Sequence, residues 1–317
     1  MKKYAALVLK GLFISLAAGL LLYRLQGEDF QNIAWNATPG LTLAGGCLFL
    51  LLSLLNHSLD ALSWQIIQRI VAPLSFLKAL KQNLKCLGLA FITPANSGEL
   101  AGRYFLQNSP TNKKRAVFLT FWMHLPKLTS KLLVSIPAVA VLLHHYGYLH
   151  ARELLLAGFI WATVILAYFN ARWILRKISG LKIKRWNLKD YIIGHRPTPH
   201  EKAQVLIYAG LRFATYSFQM GMLLLALSAQ EPNSLFWLSI PAFYLMAALV
   251  PTINAFDFVI KGFLAMYFFQ YFFENEAVVV LASTGVWLIN MAVPALAGLL
   301  LIKPGEIRQQ LKWKGQS

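Results

Sequence analysis

The sequence predicts an all-α polytopic membrane protein, with about six spanning helices and two re-entrant helical hairpins in an inverted-topology repeat. Three observations carry this. First, 57% of the 317 residues are hydrophobic, 13% are charged and the mean hydropathy is +0.54. A water-soluble domain of this length cannot hide so much apolar surface. Second, lysines and arginines gather beside the ends of apolar segments in the positive-inside manner. Third, one short polar stretch occurs twice, each time inside apolar sequence.

Taken in order, Lys2 and Lys3 precede an apolar run over residues 4–25 with no small-residue cleavage site, so this is read as a first span and not a removed signal. Residues 40–67 form the second span, and Arg69, Lys78, Lys81 and Lys85 mark its cytoplasmic end. Residues 84–107 are apolar but broken at Pro94. Lys113, Lys114 and Arg115 follow, so bases flank both ends and the segment enters and leaves by one face. Residues 116–144 cross outward and 153–175 cross back. A basic loop then runs from Arg172 to Lys202, read as a topology signal resting on anionic headgroups. Residues 203–229 cross outward. Residues 235–273, broken at Pro251 and followed by Glu274 and Glu276, form a second re-entrant segment, and 277–302 return. Both termini are therefore expected in the cytoplasm. One membrane domain, 1–317, divides into halves 1–144 and 145–317 with opposite starting faces.

The repeated stretch is Pro94-Ala95-Asn96-Ser97-Gly98-Glu99 with Arg103, and Pro251-Thr252-Ile253-Asn254-Ala255-Phe256-Asp257 with Lys261. In each, an asparagine precedes an acid by three residues, as at a helix start. A base follows the acid by four, one turn along the same face. Transporters with inverted repeats bind substrate where such broken helices meet near the midplane.

Charges inside spans are costly, so each needs a reason. His124, Lys127 and Lys131 share one helical face around Pro126. Asn56 and Asp60 form a second stripe with Ser53 and Ser63. Tyr208, Arg212, Thr215 and Gln219 form a third. Within the membrane Arg103, Lys127, Lys131, Arg212 and Lys261 outnumber Asp60, Glu99 and Asp257, a surplus of two positive charges. The expected site is an electropositive cavity for a phosphate-bearing headgroup. In it Arg103, Lys127, Lys131 and Arg212 hold the phosphate. Asn96 and Asn254 cap the half-helices, with Ser97 beside the first cap. Glu99 and Asp257 pair with Arg103 and Lys261 or meet a cationic part of the headgroup, and Asp60 and His124 support these groups from behind.

The net charge of +18 fits anionic lipid, and nucleic acid is not expected as a partner. Cys47 and Cys86 have no metal spacing and suggest no disulfide framework. His144, His145 and His150 read as interfacial, and Asn36-Ala37-Thr38 matches a glycosylation sequon. No Gly-rich phosphate loop, zinc spacing, nucleophile elbow or metal-holding carboxylate cluster occurs, so no enzyme, metal or cofactor is expected.

The stretch Phe91-Ile92-Thr93-Pro94-Ala95-Asn96-Ser97-Gly98-Glu99-Leu100-Ala101-Gly102-Arg103 resembles the first motif of the flippase-like membrane domain of lysylphosphatidylglycerol synthases, with Pro94, Gly98 and Glu99 in place and Arg103 near the position of the motif's arginine. The second stretch keeps that family's proline but lacks its glycines and its Arg-Glu pair. The resemblance implies a stand-alone relative without the aminoacyl-transfer domain. It implies lipid translocation, with an anionic phospholipid or polyprenyl phosphate as partner across the cytoplasmic membrane. The competing expectation is a membrane-embedded enzyme, or an accessory subunit, of lipid-linked glycan or lipid modification.

Overall fold

A computed structural model describes residues 15, 19–20, 22–23, 25–26, 39–69, 71–93, 97–107, 109–171, 173, 197–228, 233–250 and 253–302. Most of the expected first span, the Asn36 sequon, Pro94, Asn96, Pro251 and most of the basic loop lie outside them. The described residues are mostly helical, in ten α-helices. They are α1 (Pro39–Gln68), α2 (Phe76–Phe91), α3 (Ser97–Phe105), α4 (Pro110–His145), α5 (Ala151–Phe169), α6 (Pro199–Leu227), α7 (Phe236–Leu249), α8 (Asp257–Phe269), α9 (Glu276–Trp287) and α10 (Val293–Leu300). The protein is an all-α, multi-pass membrane protein. Four helical stretches among the described residues are long and apolar enough to cross a bilayer: Leu43–Gln68, Asn112–His145, Ala151–Phe169 and Glu276–Leu300.

Local chemistry sets the boundaries. Ser109 Oγ accepts from Asn112 N at 3.2 Å and starts α4 beside Pro110. Thr198 and Glu201 form a reciprocal capping box at α6. Asn275 accepts from Ala277 N and Val278 N at the start of α9. Helix α4 runs unbroken through Pro126 and Pro137.

Both apolar segments expected to break do so. Helices α2 and α3 have 16 and 9 residues, and α7 and α8 have 14 and 13. At about 1.5 Å per residue none of the four reaches across about 30 Å of hydrocarbon. One expectation is corrected: the first broken segment begins at Phe76, not near residue 84. Lys78 and Lys81 lie on its exposed face and Lys85 is half-buried, while Ala79, Asn83, Cys86 and Ala90 turn inward. Helix α2 is amphipathic, and its lysines belong to the helix itself and not to a preceding loop.

Helix α1 lies along α6, α2 packs on α10, and α7 packs on α4. The contact of α2 with α10 is unusually close. A Cβ on Gly298 would meet the Leu84 carbonyl, and one on Gly88 would lie 2.8 Å from Ala295 O and Leu299 N. Glycine is the residue that lets these two backbones touch. A large apolar cluster, including Phe213, Met220, Leu224, Phe236, Phe243 and Phe269, joins α6, α7, α8 and α9. A second, built on Trp64, Ile67, Ala79, Leu119 and Met123, joins α1, α2 and α4.

Between α9 and α10 the helix widens into a π turn, Leu288–Ala292. Such turns mark places where a helix is held out of register by something it must reach. Here Ser53 on α1 donates to the Ile289 carbonyl at 3.1 Å, and Asn290 projects toward α1 and α6.

Candidate functional site: a cationic cavity beside a polar network

A continuous polar chain crosses the centre of the bundle. Asn290 donates to Gln219 Oε1 at 2.8 Å and accepts from Asn56 Nδ2 at 3.0 Å. Arg212 Nε donates to Asn56 Oδ1 at 3.0 Å, and its Nη1 is bonded to Asp60 Oδ1. Asp60 also takes Lys127 Nζ at 3.0 Å and Asn83 Nδ2 at 3.1 Å. Asn83 Oδ1 accepts from Arg103 at 2.7 Å, Arg103 lies 3.7 Å from Glu99, and Glu99 lies 3.4 Å from His124. In low dielectric such a chain is stabilising where its members are satisfied; Arg103 Nε and Nη1 are buried with no hydrogen-bond partner among the described residues.

A cavity of about 430 Å³ opens beside this chain. Lys131, Arg212, Asn254, Asp257 and Lys261 line it, together with Asn56 and Asn290. Its other wall is apolar and aromatic, with Phe243, Tyr216, Tyr244, Val286 and Trp287. Both halves of the chain contribute, and the size falls within the range of about 300–1,000 Å³ usual for small-ligand sites.

The expected residues therefore divide into two groups. Five of them line the cavity: Lys131, Arg212, Asn254, Asp257 and Lys261. Lys127, Glu99 and Arg103 belong instead to the network beside it, together with Asp60 and His124. Arg103 is corrected most clearly. It is 1% exposed, its guanidinium lies 3.6 Å above the Trp64 ring, and it does not line the cavity. Stacking on an aromatic face and hydrogen bonding to Asn83 use it as a buried brace. Ser97 is exposed at the start of α3 and outside the cavity wall. Asn96 lies outside the described residues.

The capping roles also change. Thr93 Oγ1 accepts from Gly98 N at 2.7 Å, so this side chain satisfies an amide at the start of α3. Asn254 was expected to cap α8, but Phe256 holds that position without a side-chain cap. Asn254 Nδ2 instead donates to the Ala90 carbonyl at 3.2 Å, tying the second break to the end of α2. Trp287 Nε1 donates to the Asn254 carbonyl at 3.0 Å and secures the same turn. Both expected i, i+4 ion pairs form, Glu99 with Arg103 and Asp257 with Lys261 at 2.6 Å.

The charge count now has an address. Asp60 balances one of Lys127 and Arg212, Glu99 balances Arg103, and Asp257 balances Lys261. Lys131 lines the cavity with no salt bridge among the described residues. Two positive charges are left over: Lys131 in the cavity wall, and one shared between Arg212, also in the wall, and Lys127, outside it. Among the described residues no three His, Cys, Asp or Glu side chains come together in a metal-binding group.

Sequence reasoning missed Asn83, Asn290 and Thr93. Asn290 sits in a strongly apolar segment, where a lone amide is the signal that was available.

A family model described as the lysylphosphatidylglycerol synthase TM region matches residues 7–256. Comparison with curated proteins gives no match.

Proposed function

Since the chain belongs to the lysylphosphatidylglycerol synthase TM region family, we propose that it translocates an anionic lipid headgroup, of a phospholipid or a polyprenyl phosphate, across the cytoplasmic membrane. The observation that carries this is the 430 Å³ cavity with its uncompensated positive charge, lined from both halves of the chain. A phosphate there would neutralise the surplus through Lys131 and Arg212, while acyl chains lie against the apolar surface outside.

The packing supports an inverted repeat. Exchange α1 with α6, α2 with α7, α3 with α8 and α4 with α9–α10, and the pairs of neighbouring helices stay the same. The breaks after α2 and α7 support re-entrant hairpins, since neither flanking helix is long enough to span. In this reading one hairpin enters from each face, and alternating access rocks one half against the other around the cavity. The bias of lysine and arginine supports both termini in the cytoplasm. The reading assigns no bond-making step to any residue of this chain.

The test is reconstitution of the purified chain in liposomes with a head-labelled anionic lipid. Movement should exceed that in protein-free liposomes, and Lys131→Ala and Arg212→Ala should each slow it at least about ten-fold, as expected for loss of a charge-assisted contact. Equal rates in all three proteins, or none above background, would overturn the proposal.

A further inference from the structure

His124 and Glu99 meet at an open face of the bundle, outside the cavity wall. His124 Nε2 lies 3.4 Å from Glu99 Oε2, and 43% of the histidine side chain and 15% of the glutamate side chain are exposed. Ser97, at the start of the same helix α3, is exposed, and Lys127, one turn along α4 from His124, keeps 29% of its side chain open. Ionisable groups with open surface at membrane depth face water and not lipid. A proton can therefore reach this pair.

The helices packed around His124 bring few other groups that change charge near neutral pH. Helix α3 presents Glu99, which also lies by Arg103. Helix α1 presents Asp60, held by Lys127 and Arg212, and His57 one turn before it. Helix α6 presents Arg212 and, in its first turn, His200, Glu201 and Lys202. Lys202 Nζ stands 6.0 Å from the Trp122 ring and donates to the Phe169 carbonyl. Helix α7 carries no acid, base or histidine, and α5 has only Arg152 and Glu153, in its first turn. Histidine is the side chain that ordinarily titrates between about pH 5 and 8. Among the described residues, His124 is the histidine whose ring nitrogen meets a carboxylate.

A charge placed here is felt in the cavity. His124 and Lys131 lie on one face of the unbroken helix α4, seven residues apart, or about 10 Å. A proton on His124 and an anion held at Lys131 attract each other over that distance. At an effective dielectric constant of about 20 the attraction is worth about ten-fold in affinity. Linkage makes it mutual: the proton favours the anion as much as the anion favours the proton. A phosphodiester brings one negative charge, and one proton balances it, so the loaded protein has the net charge of the empty one.

Resting on the translocation reading above, we propose that the chain takes up a proton at the His124–Glu99 pair together with its anionic lipid, and that headgroup movement is thereby coupled to a proton gradient.

Binding is read first, by titration calorimetry of the purified full chain in detergent with phosphatidylglycerol, whose phosphodiester keeps one charge throughout. Repeating the titration in buffers of different ionisation enthalpy counts the protons taken up, and this needs no variant. The wild type should take up about half a proton per lipid in the middle of the histidine range, the maximum for a ten-fold linkage. Its affinity should fall about ten-fold as the pH rises across that range. His124→Gln should flatten the pH profile and abolish the uptake, and His124→Asn repeats the comparison should the first variant express poorly. The bare prenyl phosphate replaces phosphatidylglycerol if the latter does not bind, and the difference between wild type and variant then isolates the protein's proton from the ligand's. No uptake by the wild type, or uptake that survives in the variants, would overturn the coupling. Movement is read apart, in liposomes, where a proton gradient should speed the head-labelled lipid in one direction and slow it in the other. Movement indifferent to the gradient would also overturn the coupling. Proton-linked binding without movement above protein-free liposomes, or binding of neither lipid, would instead overturn translocation.

Discussion

Asn254 reaches from the turn before α8 to the carbonyl of Ala90 near the end of α2, 3.2 Å away. This bond ties one broken helix to the other across the two halves. Asn254→Ala should cost about 1 kcal/mol, a typical net hydrogen bond, and lower the melting temperature by a few degrees. Asn254→Asp separates this role from capping. Aspartate caps helices as well as asparagine does, but it has no N–H to give and would set a charge against a carbonyl. The aspartate variant should therefore melt below the alanine variant. An aspartate variant as stable as the wild type would return Asn254 to the capping role.

The close crossing of α2 and α10 makes a sharper prediction. Gly298→Ala places a methyl group against the Leu84 backbone, which cannot rotate out of the way. Overpacking of this kind costs about 1–3 kcal/mol. Gly210 on α6 is the matched control, since a Cβ there meets nothing within 4 Å. Gly210→Ala gains helix propensity and should raise stability by up to about 1 kcal/mol. Thermal unfolding in detergent should move in opposite directions for the two variants.

These contacts show which parts of the molecule were legible in the sequence. Spans, breaks and i, i+4 pairs were legible because hydropathy, proline and spacing act locally. The partners of Arg103 and Asn254 were not, because Trp64, Asn83 and Ala90 come near only through helix packing. The first motif misled in one respect. A basic residue one turn after an acid resembles a phosphate ligand, but Arg103, in the last turn of α3, lies beneath the surface, and Lys131, twenty-eight residues on, lines the cavity. The π turn was invisible because no residue type specifies it. It coincides with the bonds that Ile289 and Asn290 make to Ser53, Asn56 and Gln219, which only helix packing brings near.

Asp60 should be the most sensitive acid in the bundle. It takes Lys127, Arg212 and Asn83 at once, with 15% of its side chain exposed. Asp60→Asn leaves two cations facing each other with no counter-charge, and breaking a buried pair from one side costs about 3 kcal/mol or more. Adding Lys127→Met should recover part of that loss, because it removes one of the stranded charges. A double-mutant cycle on melting free energy measures the coupling. Additive losses would mean that Lys127 and Asp60 do not share a charge balance.

Arg103→Lys tests whether the first motif binds or braces. The guanidinium lies over the Trp64 ring at 3.6 Å while Nη2 bonds Asn83 at 2.7 Å. An ammonium group cannot stack in that way and present a fork at the same time. The lysine variant should lose about 2 kcal/mol of stability, from stacking and hydrogen bonding together. Among folded molecules its affinity for anionic lipid should stay within about two-fold of wild type, a shift smaller than one neutral hydrogen bond, because Arg103 does not line the cavity. Lys131→Gln should show the reverse pattern, with near-normal melting and at least about five-fold weaker binding of anionic lipid, as expected where one charge contact is lost. A lysine variant of Arg103 that melts normally but no longer retains lipid would move the headgroup site to the start of α3.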